Sequence, residues 1–213
     1  MYSIEFKNVI KRFGKNEVIK GLNLSIRKGE RLILLGSSGC GKSTILRMIS
    51  GLETISSGEL YLNGKLANDM DPGDRGIGMV FQNYALFPHM TVEKNIAYGL
   101  RIHRIPEKEI ADRVKKAVTI LNLDGLEQRL PRELSGGQRQ RIGIARSLAT
   151  NPKFVVCDEA VSALDVSIQS QIINLLSDLK EQQNLTYLFI THDLSVVRYI
   201  SDRIGVMYLG NMV

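Results

Sequence analysis

The run Gly36-Ser37-Ser38-Gly39-Cys40-Gly41-Lys42-Ser43 constrains the fold more than any other feature of this 213-residue chain. It satisfies G-x-x-x-x-G-K-[ST] in full, a loop whose backbone N–H groups cradle phosphates. The apolar run Leu32-Ile33-Leu34-Leu35 precedes it and reads as a buried strand; Thr44-Ile45-Leu46-Arg47-Met48-Ile49 follows and reads as a helix. The glycines permit backbone angles closed to other residues. The loop's N–H groups and the positive end of the helix then converge on an anion. Lys42 is predicted to reach the β- and γ-phosphates, and the Ser43 hydroxyl to ligate Mg²⁺.

Further buried-strand runs end in residues suited to the same site. Phe154-Val155-Val156-Cys157 ends in Asp158-Glu159. Asp158 is predicted to hold Mg²⁺, and Glu159, one step on, to act as general base or water-orienting group. Ile77–Phe81 ends at Gln82, whose amide would touch the metal or its water. Tyr187–Thr191 ends at His192, which would hydrogen-bond the γ-phosphate or hold the attacking water with Glu159. Ligands of open α/β sheets gather at the carboxyl ends of the strands.

A second glycine-rich loop, Leu134-Ser135-Gly136-Gly137-Gln138, lies well downstream. Ser135 is placed to cap a helix beginning near Gly136, and that helix start offers N–H groups to an anion. One chain therefore carries two phosphate-seeking loops, and the second is expected to serve a nucleotide held by another molecule.

These elements, in this order, resemble an ATP-binding cassette (ABC) ATPase over essentially the whole chain. The resemblance implies that Gly36–Ser43 is the Walker A loop, continued by Thr44, and that Phe154–Asp158 is the Walker B strand. It implies that Glu159 is the catalytic glutamate, Gln82 the Q-loop residue and His192 the switch histidine. Ser135, Gly136, Gly137 and Gln138 would form the signature loop; Ser162-Ala163-Leu164-Asp165 matches the D-loop; Phe13 is similar to the aromatic that stacks on adenine. In that family two cassettes sandwich two ATPs head to tail, each signature loop meeting the γ-phosphate held by the other chain. The segment Asn83–Met90 resembles the region that docks a short helix of a transmembrane permease subunit.

The first two-thirds resemble sugar and polyamine importers (Val80–Val92), the last third oligopeptide importers (Val156–Ser167, Tyr187–Leu194). Ala160 stands where the family usually has proline. The function expected is ATP hydrolysis powering solute import; the alternative is a soluble ABC ATPase of the DNA-repair or translation type. Repair ATPases insert a long coiled coil before the signature loop, and translation factors carry two cassettes in tandem. A P-loop small-molecule kinase would not need Leu134–Gln138.

The expected fold is α/β: a mainly parallel P-loop core, a small antiparallel sheet from Ile4–Val9, Leu22–Ile26 and Glu59–Asn63, and an inserted helical subdomain. The chain reads as a single cassette, with 1–90 and 151–213 forming the core and 91–150 the insert. In the insert Pro106 opens a helix with the stripe Ile110, Val114, Ala117, Val118 and Leu121; beyond it, Val166–Gln183 reads as a helix with Ile168, Ile172, Leu175, Leu176 and Leu179 inward. No apolar run approaches the ~18 residues of a membrane span, and the N-terminus is no signal peptide. Both points predict a cytoplasmic chain, and the resemblance implies that it is peripheral on the inner face of the membrane. The net charge of +6 lacks an aromatic-interleaved basic tract, so no nucleic-acid partner is expected; Lys42, Arg139 and Arg141 are assigned to nucleotide loops and their surroundings. The two cysteines, Cys40 and Cys157, fall inside active-site motifs. Cys40, near a helix N-terminus and Lys42, is expected to be a reactive thiol protected by ATP.

Overall fold

The computed structural model describes residues 2–213. Alternating apolar residues near the N-terminus build the first sheet. Strands β1 (Tyr2–Phe13) and β2 (Asn16–Arg27) form an antiparallel hairpin, and β4 (Ser57–Leu62) pairs antiparallel with the other edge of β1. Ile4, Phe6, Val9, Leu22, Leu24 and Ile26 point inward. Asn63 and Gly64, with φ of 50° and 81°, turn β4 into the short β5 (Lys65–Leu66). Two consecutive left-handed residues make the type I′ hairpin that Asn-Gly favours.

The second sheet holds the continuous apolar runs. β3 (Arg31–Gly36), β6 (Ile77–Phe81), β7 (Phe154–Asp158), β8 (Thr186–Ile190) and β9 (Arg203–Tyr208) are parallel; the short β10 (Asn211–Met212) joins β9 antiparallel. Their order is β10-β9-β3-β8-β7-β6. Such runs need cover on both faces, and alternate residues divide between two cores. Leu32, Leu34, Phe154, Val156, Leu188 and Ile190 pack with helix α1 (Lys42–Ser50) and the antiparallel sheet. Ile33, Val155, Cys157, Tyr187 and Phe189 join the helices on the opposite face.

Those helices are α2 (Val92–Ile102), α3 (Glu107–Ile120), α4 (Gly136–Ala149), α5 (Val166–Gln183) and α6 (Leu194–Ile200). α4 packs against α2, α3 and β6. One apolar cluster therefore runs from the 91–150 insert into the sheet. The α3 stripe is buried as expected, with Pro106 at the cap position just before the helix. α5 has the expected bounds but a rotated inner face. Ile172, Leu176 and Leu179 are buried with Ile173, while Ile168 and Leu175 are only partly covered. Helix α6 was not expected. It is seven residues long, started by Asp193 accepting from Ser195 N at 2.8 Å, and buries Val196, Val197 and Ile200.

Candidate functional site

Strand register brings the predicted site residues to one edge. Phe81 pairs with Asp158, Asp158 with Ile190, and Leu34 with Ile190. The residues that follow β3, β6, β7 and β8 therefore lie side by side: the Gly36–Ser43 loop, Gln82, Asp158 with Glu159, and His192. In the loop, Gly36, Gly39 and Gly41 have φ of 153°, 77° and 110°. A Cβ on Gly36 would strike the Met207 carbonyl and Cys40 Sγ. α1 starts at Lys42 with no side chain capping its first turn. Its leading N–H groups are left to point at an anion, so the loop fits a polyphosphate. Lys42 Nζ donates to the carbonyls of Gly36 (2.7 Å) and Ser37 (2.9 Å), bracing the loop across its mouth. Ser37, Ser38 and Ser43 are exposed, and Thr44 is half-buried on the first turn of α1.

The carboxylate pair sits at the end of β7. Asp158 is half-buried, and burial, then the neighbouring Glu159, pushes its carboxyl above the ordinary range; Arg47 and Lys42 offset only part of this. A further cation would relieve that penalty, so Asp158 suits a divalent ion. Glu159 has a left-handed φ of 48°. Its N–H donates to Ile190 O at 2.9 Å, continuing the sheet by one bond. Its Oε1 lies 3.4 Å from His192 Nδ1, so the two residues proposed to handle water are already paired. Gln82 Nε2 donates to Ser162 Oγ (3.1 Å), and Ser162 Oγ in turn donates to Glu159 O (3.0 Å). The motif marked Ser162 only as part of a loop; its bridging position depends on the Glu159–Ser162 turn, which no sequence pattern announced.

The second glycine loop is elsewhere. Ser135 Oγ accepts from Gln138 N (3.3 Å) and Gln138 Oε1 accepts from Ser135 N (2.9 Å), a reciprocal capping box that starts α4. A Cβ on Gly136 would meet Tyr84 and Leu164, and one on Gly137 would meet Ile168. These neighbours belong to the segment after β6, the turn before α5 and the first turn of α5, not to Gly36–Ser43. One chain thus brings together Lys42, Ser43, Gln82, Asp158, Glu159 and His192, while Gly136 and Gly137 pack on Tyr84, Leu164 and Ile168. Asp165 is exposed at the start of α5, without a capping bond from its side chain. Phe13 is exposed at the tip of β1, with Lys11 Nζ 4.7 Å from its ring centroid.

Two sequence expectations need correction. Cys40 and Cys157 are both buried, so neither is an accessible thiol; burial, reinforced by Asp158, also pushes the Cys157 thiol strongly up. Arg141 does not face a nucleotide loop. It donates to Leu121 O and Gln171 inside the helical layer, while Arg139 donates to Leu134 O and lies over the Tyr84 ring.

The segment from Asn83 to Met90 is held by buried Asn95, which accepts from Phe87 N at 2.8 Å and donates to the carbonyls of Phe87, Met90 and Thr91. Phe87 stacks on Tyr98 (4.4 Å), Leu86 packs on the core, and Arg146 donates to Ala85 O. Beside this segment runs a mostly apolar groove of about 450 Å³ whose lining includes Leu52, Met79, Ala85, Phe87 and Tyr98.

A phosphate loop with a carboxylate pair on a parallel sheet, and a capped glycine loop on a helical insert, define an ATP-binding-cassette domain. Residues 19–162 match the family described as ABC transporter, and the chain belongs to that family. It is 47% identical over 197 residues to the sn-glycerol-3-phosphate import ATP-binding protein UgpC of Escherichia coli strain K12, a match covering 92% of this chain and 55% of that protein. The UgpC of Shigella boydii is similar to the same degree. The chain thus spans about half the length of these curated relatives. Among solved structures, the ATP-binding cassette MJ0796, a dimer in a post-hydrolysis state bound to ADP and Pi, superposes with a TM-score of 0.86 at 33% identity, covering 98% of this chain and 96% of that one. The cbiO1 protein of Clostridium perfringens, part of the ABC transporter complex cbiONQ, does so with a TM-score of 0.89 at 29% identity over 100% and 87%.

Proposed function

We propose that this chain is the ATP-binding and ATP-hydrolysing subunit of an ABC importer, and that it works as one half of a pair of cassettes. The observation that carries this reading is that the chain assembles a phosphate loop, carboxylates and histidine at one sheet edge, while the glycines of its capped signature loop pack on Tyr84, Leu164 and Ile168 and not on that phosphate loop. A second cassette, another copy or a paralogue, supplies the missing loop. Its Ser135, Gly136, Gly137 and Gln138 meet the γ-phosphate held by Lys42 of the first, and Asp165 lies at the seam.

Glu159 orients water in line with the γ-phosphate and takes its proton. His192, already beside the Glu159 carboxylate, holds that water or the phosphate. Lys42 and the N–H groups of Gly39–Thr44 stabilise charge spreading onto the γ-phosphate oxygens. Ser43, Gln82 and Asp158 would hold the Mg²⁺ that accompanies ATP, which neutralises phosphate charge. Phe13 stacks on adenine.

Residues 1–90 and 151–213 act as the nucleotide-binding core, and 91–150 as the moving helical insert. The groove beside Ala85 and Phe87 receives a permease subunit, which converts closure of the pair into solute movement. The UgpC relatives are named as import subunits, and the cbiO1 neighbour as part of a transporter complex. The insert holds helices of 11, 14 and 14 residues rather than the long coiled coil of a repair ATPase. No helix among the described residues is long and apolar enough to cross a membrane, so the chain would sit on the cytoplasmic face through its permease. Glu159→Gln is expected to keep ATP binding and lose hydrolysis by about 10² or more. Equilibrium binding and phosphate release measure the two separately; a Glu159→Gln chain that hydrolyses at the native rate contradicts the assignment.

A further inference from the structure

We propose that Gln140 is a positioning residue for Glu159, holding the turn after β7 to the helix that carries the signature loop; this rests on the reading of Glu159 as the group that activates water. Gln140 is on α4, two residues beyond Gln138, and is completely buried. Its Nε2 donates to the carbonyl of Ala160, the residue next to Glu159. Its Oε1 is buried with no hydrogen-bond partner. A buried amide with one end unsatisfied works against stability. An apolar side chain of similar volume would make no such demand, so the amide's contribution lies in the bond it makes.

That bond falls where the backbone most needs holding. Glu159 is a non-glycine residue at φ 48°, a conformation that persists only when its surroundings over-determine it. Its N–H is tied to Ile190 O at 2.9 Å, and its carbonyl accepts from Ser162 N (3.1 Å) and Ser162 Oγ (3.0 Å). These bonds come from the sheet edge and from the turn itself. The Gln140 bond alone among them comes from α4. Ala160 is not proline, so no ring fixes its φ. Gln140 holds the Ala160 carbonyl, which belongs to the 160–161 peptide. Shifting that peptide turns Ala160 about its two backbone torsions and carries the adjoining Glu159, with its Cα–Cβ bond and carboxylate, along with it. A displacement at the signature loop therefore reaches Glu159 of the same chain through two residues of helix and one amide.

Gln140→Met tests this, because it keeps the volume while removing both the donor and the orphaned acceptor. The expected result is a kcat for ATP hydrolysis lowered at least about tenfold, as a misplaced catalytic group gives. KM for ATP is expected to be unchanged and the melting temperature equal to or above that of the native chain. In a Glu159→Gln background, Gln140→Met should remove no further residual hydrolysis, because both changes act through one carboxylate. Gln140→Asn, which keeps the amide but is one methylene too short, should lower kcat in the same way with KM unchanged, and melt below Gln140→Met because its buried amide is left unpaired. Native kcat in a folded Gln140→Met chain, loss appearing in KM alone, an additional loss in the Glu159→Gln background, or unfolding of both variants overturns the proposal. If Glu159→Gln itself hydrolyses normally, the underlying reading of Glu159 has failed instead.

Discussion

Asp158 is the residue whose surroundings most plainly favour a cation. Its carboxyl is pushed up by burial and by Glu159, so the folded chain holds a proton there more tightly than the unfolded chain does. The sign follows: this group costs the ligand-free fold stability as pH rises from its unfolded to its raised folded pKa, and returns it as pH falls back through that range. Asp158→Asn removes the penalty at neutral pH. Thermal melting without nucleotide should therefore rise by a few degrees, while Mg²⁺-dependent ATP hydrolysis is lost. A variant less stable than the native chain would show that the carboxylate makes a net stabilising contact in the ligand-free fold.

At the scale of elements, close packing between β6 and α4 joins the sheet to the helical insert. A Cβ on Gly78 would collide with Ser147 Oγ and approach Pro152 to 3.1 Å. Gly78→Ala is expected to cost about 1–3 kcal/mol, the usual penalty for overpacking a tight site, measurable by urea unfolding; no loss would mean that insert and sheet are loosely joined. Much of this architecture was legible beforehand. The β3–loop–α1 unit, the parallel runs and the bounds of α5 followed from periodicity and glycine spacing. Helix α6 did not, because seven residues carry two turns of pattern and its exposed Leu194 and Tyr199 blur even that. Arg75 was equally hidden. It closes the C-terminus of α1 by donating to Met48 O (2.7 Å) and Ile49 O (3.0 Å), from a turn 27 residues downstream of Met48. At the site, residue identities were readable from motifs, but the Gln82–Ser162–Glu159 chain of bonds and the Gln140 contact depend on three-dimensional proximity alone.

At the scale of the molecule, the proposed pairing and permease docking would use two surfaces. One is the groove rimmed by Leu52, which is 58% exposed. Leu86 and Phe87, inside the Asn83–Met90 segment, are partly committed to internal packing, so charging them would test folding as much as docking. Leu52→Glu avoids this and should abolish solute transport in the assembled system while basal hydrolysis persists; unaffected transport would remove the groove from consideration. The other surface holds the signature loop. The most direct test of a composite site is the mass of the Glu159→Gln chain in ATP and Mg²⁺, measured by size exclusion with light scattering. The account predicts a dimer, returned to monomer when Ser135→Arg is added to the same chain. A nucleotide-loaded monomer, or a dimer indifferent to Ser135, would contradict it.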